Sequence, residues 1–273
     1  MKQYYIICDV SLCHDCNDCL MACMDEHVDN EWLPYSGPQP RHGHRWIDIL
    51  RKERGQYPRI DVAYLPLPCQ HCADTPCARD NPGCIVRRED GVVLIDTDNA
   101  AGNKVLVGSC PYGAIYWNDD RNIAQKCTMC AHILDGGSWE RKTPRCVHSC
   151  PTGALEFHHI EPDEMEKKIL DENLMRYRPE AGGSKGGVYY RNLHRYEKLF
   201  IAGGLLRGGE CAEGVEVSLE GGGVCMSQVS DEFGDFKFDG LEPGEYTISI
   251  DGAAQMTVTA LESLNLGSII VAE

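Results

Sequence analysis

Apolar and polar residues alternate most regularly in the last quarter of the chain. Val215, Val217 and Leu219 bracket Glu216 and Ser218, Phe236 and Phe238 flank Lys237, and Tyr246, Ile248 and Ile250 flank Thr247 and Ser249. A period of two with one apolar face predicts half-buried antiparallel strands. Turns at Gly208-Gly209, Gly221-Gly222-Gly223 and Pro243-Gly244 separate them at the spacing of a small sandwich. Earlier in the chain the pattern supports only short strands, at Tyr4–Val10, Val92–Asp96, Ile115–Trp117 and Leu155–His158, with much loop between them. One helix is predicted from Glu161 to Leu170. Pro162 and the acidic residues after it suit a helix start, and Met165, Ile169, Leu170 and Leu174 share a face. The run Gly182-Gly183-Ser184-Lys185-Gly186-Gly187 then breaks regular structure.

With 273 residues, the chain exceeds the usual single-domain size. Its charge is unevenly spread. Residues 201–273 hold thirteen acidic and two basic side chains, a net of −11 out of −16, whereas residues 1–200 hold 29 acidic and 24 basic ones. These shifts divide the chain into a body at 1–160 with a long insert at 25–68, a helix and linker at 161–199, and an acidic β-sandwich at 200–273. The insert is rich in Arg, His, Pro and Trp and reads as a surface loop or a partner contact. The absence of a basic footprint argues against nucleic acid. Nothing approaches the roughly twenty apolar residues that span a bilayer, and the N-terminus lacks the apolar core of a signal peptide. A soluble, cytoplasmic protein is therefore expected.

Cysteine spacing carries the chemistry. Fourteen of the sixteen cysteines lie before residue 151. Cys13, Cys16, Cys19 and Cys23 form C-x2-C-x2-C-x3-C, while Cys127, Cys130, Cys146 and Cys150 form C-x2-C-x15-C-x3-C followed by Pro151. In the bacterial ferredoxin signature three close thiolates serve one cubane and the fourth closes its neighbour. Exchange of the last ligands predicts one 4Fe–4S cluster on Cys13, Cys16, Cys19 and Cys150, and a second on Cys23, Cys127, Cys130 and Cys146.

A second pair of runs lies between these. Cys69, Cys72 and Cys77 form C-x2-C-x4-C, but the next ligand position is Asn81, followed by Pro82. Cys110-Pro111-Tyr112-Gly113-Ala114 repeats the closing element Cys150-Pro151-Thr152-Gly153-Ala154, yet Leu106, Asn103 and Ala100 stand four, seven and ten residues before it. Cross-ligation gives a third cluster on Cys69, Cys72, Cys77 and Cys110. The four ligands of a fourth site are all replaced, by Asn81, Ala100, Asn103 and Leu106.

Zinc is the competing metal, since C-x2-C pairs also build structural zinc sites. Repeated triplets and two Cys-Pro-x-Gly-Ala closures favour clusters. Cys8, Cys84, Cys211 and Cys225 fit no triplet and are expected to be small buried hydrophobes. His14 and His71 lie inside triplets, where an imidazole tunes a cluster or merely occupies a polar loop. Lys126 precedes Cys127 and either favours a reduced cluster nearby or is a solvated surface lysine. His42, His44, His158 and His159 form no nucleophile or metal constellation, and no catalytic residue is expected in this chain. Asp231, Glu232 and Asp235 read as an acidic turn that is either solvated or binds a divalent cation.

Residues 1 to about 160 resemble the iron–sulfur subunits of the dimethyl sulfoxide reductase family, through the two intact runs, the middle pair and the two Cys-Pro closures. The resemblance implies an α+β fold in which a double bacterial-ferredoxin-like body precedes the C-terminal antiparallel β-sandwich, itself similar to transthyretin-like modules. It also implies a large catalytic partner holding molybdenum or tungsten on a bis-pterin guanine dinucleotide, forming a heterodimer with this chain, which conducts its electrons. The departures at Asn81, Ala100, Asn103 and Leu106 set it apart from four-cluster relays to a membrane. Two other roles fit the same residues: electron transfer for another molybdenum or tungsten oxidoreductase, and a structural assembly subunit with redox-silent clusters.

Overall fold

The structure is a computed structural model that describes residues 1–79, 81–136 and 142–271. Two compact units emerge, one of Met1–Leu50 with Tyr64–Leu193, the other of Arg51–Ala63 with His194–Glu273.

The first unit is built around a three-stranded sheet. Gln3–Asp9 lies in the centre, antiparallel to Leu155–Ile160 and parallel to Val188–Arg191. The central strand is buried over its last five residues, and Cys8 at 0% exposure packs there as a small apolar side chain. The Pro162–Asp171 helix covers one face through Met165, which joins Tyr5, Ile7, Leu174 and Tyr189 in one core. Residues 161–199 therefore differ from a helix and linker: Val188–Arg191 is an edge strand, because the glycine run before it returns the chain alongside Gln3–Asp9. Two short hairpins, Ile85–Arg87 with Val93–Ile95 and Tyr116–Asn118 with Ile123–Gln125, complete the body. Helices are short, and among the described residues none is long and apolar enough to cross a membrane.

The 25–68 insert is not simply a loop. Ile47–Gln56 and Arg59–Pro68 pair as a two-stranded ribbon, and residues 51–63 at its tip belong to the second unit. There the Arg54 guanidinium, 1% exposed, bridges Asp61 and Asp239.

In the second unit the three strands predicted by alternation are joined by five others in two four-stranded sheets. One runs Glu210–Cys211, Leu199–Arg207, Asp235–Leu241, with Leu264–Ile270 also paired to Leu199–Arg207; the other runs Val224–Val229, Glu216–Gly221, Gly244–Ile250, Ala253–Ala260. Ile201, Leu205, Phe236, Phe238 and Ile269 of the first sheet share a core with Val217, Leu219, Tyr246, Ile248 and Ile250 of the second. The sandwich is not wholly antiparallel, since Leu264–Ile270 runs parallel to Leu199–Arg207. Cys211 and Cys225 are exposed rather than buried, because each sits on a strand at a sheet edge. The acidic turn is satisfied internally: Asp231 Oδ1 accepts from the Phe233 and Asp235 amides, and Asp235 pairs with Arg59.

Candidate metal centres

Local backbone geometry turns each cysteine loop inward. Asp15, Asn17, His71, Met129 and Cys130, all inside C-x2-C segments, adopt left-handed conformations. Successive amides in such turns face one concavity. In the two closing elements the left-handed residue is glycine, Gly113 at φ 64 and Gly153 at φ 70, where a side chain would be strained.

Helices then split the thiols between neighbouring sites. Asp18–His27 carries Cys19 and Cys23 one turn apart, and Arg145–His148 carries Cys146 with Cys150 just beyond its end. Cys13, Cys16, Cys19 and Cys150 line one cavity beside Ile49, Pro66 and Leu155. Cys23, Cys127, Cys130 and Cys146 line a second, walled by Ile6, Trp46, Ile47 and Met129. These are the two sets that ligand exchange groups together.

The third set also converges. Burial, and after it the charge of the neighbouring Cys69, raises Cys72 to about 11 and Cys77 to about 12 and raises Cys110 as well. Cys127 of the second set stands next to it, because Cys69 acts on Cys127 both by charge and through its backbone amide. The three sets thus follow one another in a row.

The donor chemistry fits iron–sulfur clusters. Thiolates select soft metals such as zinc or iron–sulfur clusters. In the first two sets four thiols line one cavity, and four thiolates are the donor set of a 4Fe–4S cluster. Burial is the leading cause of raised thiols in all three sets, with Cys19 and Cys130 at about 12 and Cys23 and Cys146 well above the usual value. Metal binding must therefore displace protons, and the local donors and cations assist it. The Ala114 amide donates to Cys110 Sγ and the Met129 amide to Cys127 Sγ, each at 3.4 Å.

Two buried cations lie among the thiols. Lys126 is 3% exposed, not a solvated surface lysine; its Nζ donates to the Val93 and Cys127 carbonyls. Arg176, to which no spacing pattern pointed, donates toward Cys72 Sγ at 3.7 Å. His71 is buried, and burial followed by the nearby Lys126, Arg176 and Arg87 charges keeps it neutral. Its Nδ1 accepts the Val93 amide at 2.9 Å. His27, also missed in the sequence, is held neutral at about 3 by burial, with Nε2 at 3.9 Å from Cys130 Sγ. His14 lines the first cavity at the surface. His44 bonds the Trp117 carbonyl, His158 pairs with Glu156 and His159 stacks on Tyr4.

The four replaced positions meet in space and are packed shut. Asn103 Nδ2 donates to Asn81 Oδ1 at 3.1 Å and to Cys84 Sγ at 3.6 Å. Leu106 at 0% and Ala100 at 1% exposure lie in one core with Cys84, Ile85, Val93, Ile95 and Ile115. Cys84 is no member of a thiol set; its Sγ donates to the Asn99 carbonyl.

The family described as 4Fe-4S dicluster domain matches residues 60–160. The chain is 50% identical over 252 residues to the pyrogallol hydroxytransferase small subunit of Pelobacter acidigallici, covering 92% of this chain and 91% of that one. It is 30% identical to a sulfite dehydrogenase subunit of Allochromatium vinosum, over 69% of this chain and 83% of the other. With one chain of the anaerobic dimethyl sulfoxide reductase from Escherichia coli it shares 31% identity, over 68% and 87% of the two chains. Its cysteine-lined body and these relatives place the chain in the iron–sulfur, electron-transfer subunits of the dimethyl sulfoxide reductase family of molybdopterin oxidoreductases.

Proposed function

We propose that this chain holds three 4Fe–4S clusters in a row and exchanges single electrons with a molybdopterin catalytic subunit, as the small member of a heterodimer. The ligands are Cys13, Cys16, Cys19 and Cys150; Cys23, Cys127, Cys130 and Cys146; and Cys69, Cys72, Cys77 and Cys110. The observation that carries this reading is the pair of four-thiol cavities, each drawing one thiol from the helix or turn that serves its neighbour. When bound, such clusters supply one-electron exchange at potentials set by charge, hydrogen bonds and solvent. The chain's own part is to hold the thiolates apart, exclude water with Ile6, Trp46, Ile47 and Met129, and aim amides at sulfur.

The half-identical relative is a pyrogallol hydroxytransferase small subunit. We infer the same service here: a partner chain that carries molybdenum on a bis-pterin guanine dinucleotide and moves a hydroxyl group between pyrogallol and phloroglucinol rings. That exchange has no net redox change, so the chain sets or stores the partner's redox state and needs no complete path outward. The packed fourth site fits such a role. The C-terminal unit is read as a transthyretin-like module that covers or grips the partner, in a cytoplasmic complex.

Potentiometric EPR on the purified complex tests the electron-transfer claim. Signals that appear on reduction are expected; clusters that stay silent at every accessible potential would instead mark a structural assembly subunit. Identification of the co-purifying large chain separates the transhydroxylase from a reductase or dehydrogenase.

A further inference from the structure

The three thiol sets differ in the charge around them. At the first, the leading charges are the neighbouring thiols on Cys13 and Cys19, with Asp15 on Cys13. At the second, Arg145 acts on Cys130, but Asp25 and Glu26 lie within 3.0 and 3.1 Å of its guanidinium, and Glu26 opposes it at Cys130. The third set is the one that Arg176 touches, its Nη2 donating toward Cys72 Sγ at 3.7 Å, while Lys126 is shared, acting on Cys77 and Cys110 here and on Cys127 of the second set.

Arg176 is built into this place. It is 5% exposed, and its Nη1 donates to the Gln70 carbonyl at 3.2 Å and the Val188 carbonyl at 3.0 Å. Its Nε is buried without a partner, and among the described residues no carboxylate pairs with the guanidinium. The Gly182–Gly187 run makes room for it: a Cβ on Gly186 would meet Arg176 Nη1 at 2.1 Å, and one on Gly187 would meet His71 Cβ at 2.9 Å. The same run clamps the cysteine loop, since the Ala73 amide donates to the Lys185 carbonyl and the Gly187 amide to the Gln70 and His71 carbonyls. A buried cation without an anion is unfavourable, because its lost hydration is not repaid by an opposite charge. Lys126 is in the same position, with only carbonyl partners among the described residues. Two such cations beside one thiol set call for a fixed negative charge, which four thiolates on a cluster provide.

Resting on the three-cluster reading, we propose that Arg176, backed by Lys126, is a positioning charge that makes the Cys69–Cys72–Cys77–Cys110 cluster the most readily reduced of the three. An electron added there brings one further negative charge into a pocket already holding two cations, and no proton need accompany it. The electron stored by this chain then rests at the end of the row beside the packed fourth site, until the partner draws it back.

The test is a potentiometric EPR titration of the complete complex, comparing the unaltered protein with Arg176→Gln and Arg176→Lys. In Arg176→Gln one signal, the highest in potential, is expected to lose about tenfold or more in its reduced-to-oxidised ratio at a fixed potential, about 59 mV per tenfold for one electron. The other two stay in place and iron is unchanged, while Arg176→Lys recovers most of the shift. No movement of any signal, or equal movement of all three, overturns the assignment. Should Arg176→Gln lose iron, Gly186→Ala, which displaces the guanidinium while keeping its charge, is read by the same two outcomes. Too little iron in the unaltered protein would count against three clusters, whereas a potential that ignores Arg176 counts only against this inference.

Discussion

The set Cys69, Cys72, Cys77, Cys110 and the set Asn81, Ala100, Asn103, Leu106 hang on the same two pieces of chain. The Pro76–Arg79 turn carries Cys77, with Asn81 four residues on, and the Lys104–Ser109 turn carries Leu106, with Cys110 four residues on. This is the arrangement of Cys19 with Cys23 and Cys146 with Cys150 in the first two sets. Yet one set keeps thiols beside buried cations, and the other is closed by an Asn–Asn hydrogen bond and a Leu in an apolar core. Replacing the ligands of a cluster leaves a space, and two of the replacements here are polar. Both are resolved, the space by Leu106 and Ala100 and the polar groups by pairing Asn103 with Asn81. A packed core then does the structural work of a cluster without its electron.

The comparison breaks most sharply at a thiol. Cys130→Ala should release the second cluster, lowering iron by about four per chain, and destabilise the fold because metal binding and folding are coupled. Iron analysis with thermal unfolding reads both effects, and full iron retention would remove Cys130 from the ligand set. On the packed side, Leu106→Ala should destabilise by about 2–5 kcal/mol, the range for a buried Leu truncation, with iron unchanged. A loss of iron equal to that of Cys130→Ala would mean that the two regions do not differ as described.

The second unit offers a control that involves no thiol set. Arg54→Met removes the bridge between Asp61 and Asp239, and a penalty of about 1–3 kcal/mol is expected, tempered by solvent reaching both carboxylates and by Lys237 nearby. Burial works to raise Asp61, but hydrogen bonds from Lys237 and Arg54 overcome it and bring it to about 2; Asp239 is lowered too. A depressed carboxylate contributes its full stability above its unfolded value of about 3.9 and loses it as pH falls toward the folded one. Hydrogen-exchange protection of Leu199–Arg207 and Asp235–Leu241 should be flat above about pH 4 and fall toward pH 2, and the fall should shrink in Arg54→Met.

Cysteine spacing made the sites legible because a cubane fixes how far apart four thiolates stand along the chain, and substitution of a whole set is visible as readily as its presence. Alternation gave the sandwich strands for the same reason: Val217, Leu219 and Ile248 each face one core at every second residue. What spacing does not encode is partnership across long separations. Arg176 lies 104 residues from Cys72, and the glycine run at 182–187, read only as a break in regular structure, gave no sign of the contact. The place of Lys126 before Cys127 left cluster tuning and solvation both open, since its burial depends on Val93 of another hairpin. The parallel strand Val188–Arg191 and the ribbon within the insert depend likewise on pairing that local patterns do not announce.

Iron and acid-labile sulfide, measured per chain on the purified complex together with the spin count of the reduced protein, test the central claim most directly. Three thiol sets and one packed set predict about twelve irons and three reducible centres. A value near sixteen, with four centres, would contradict the account at Asn81, Ala100, Asn103 and Leu106.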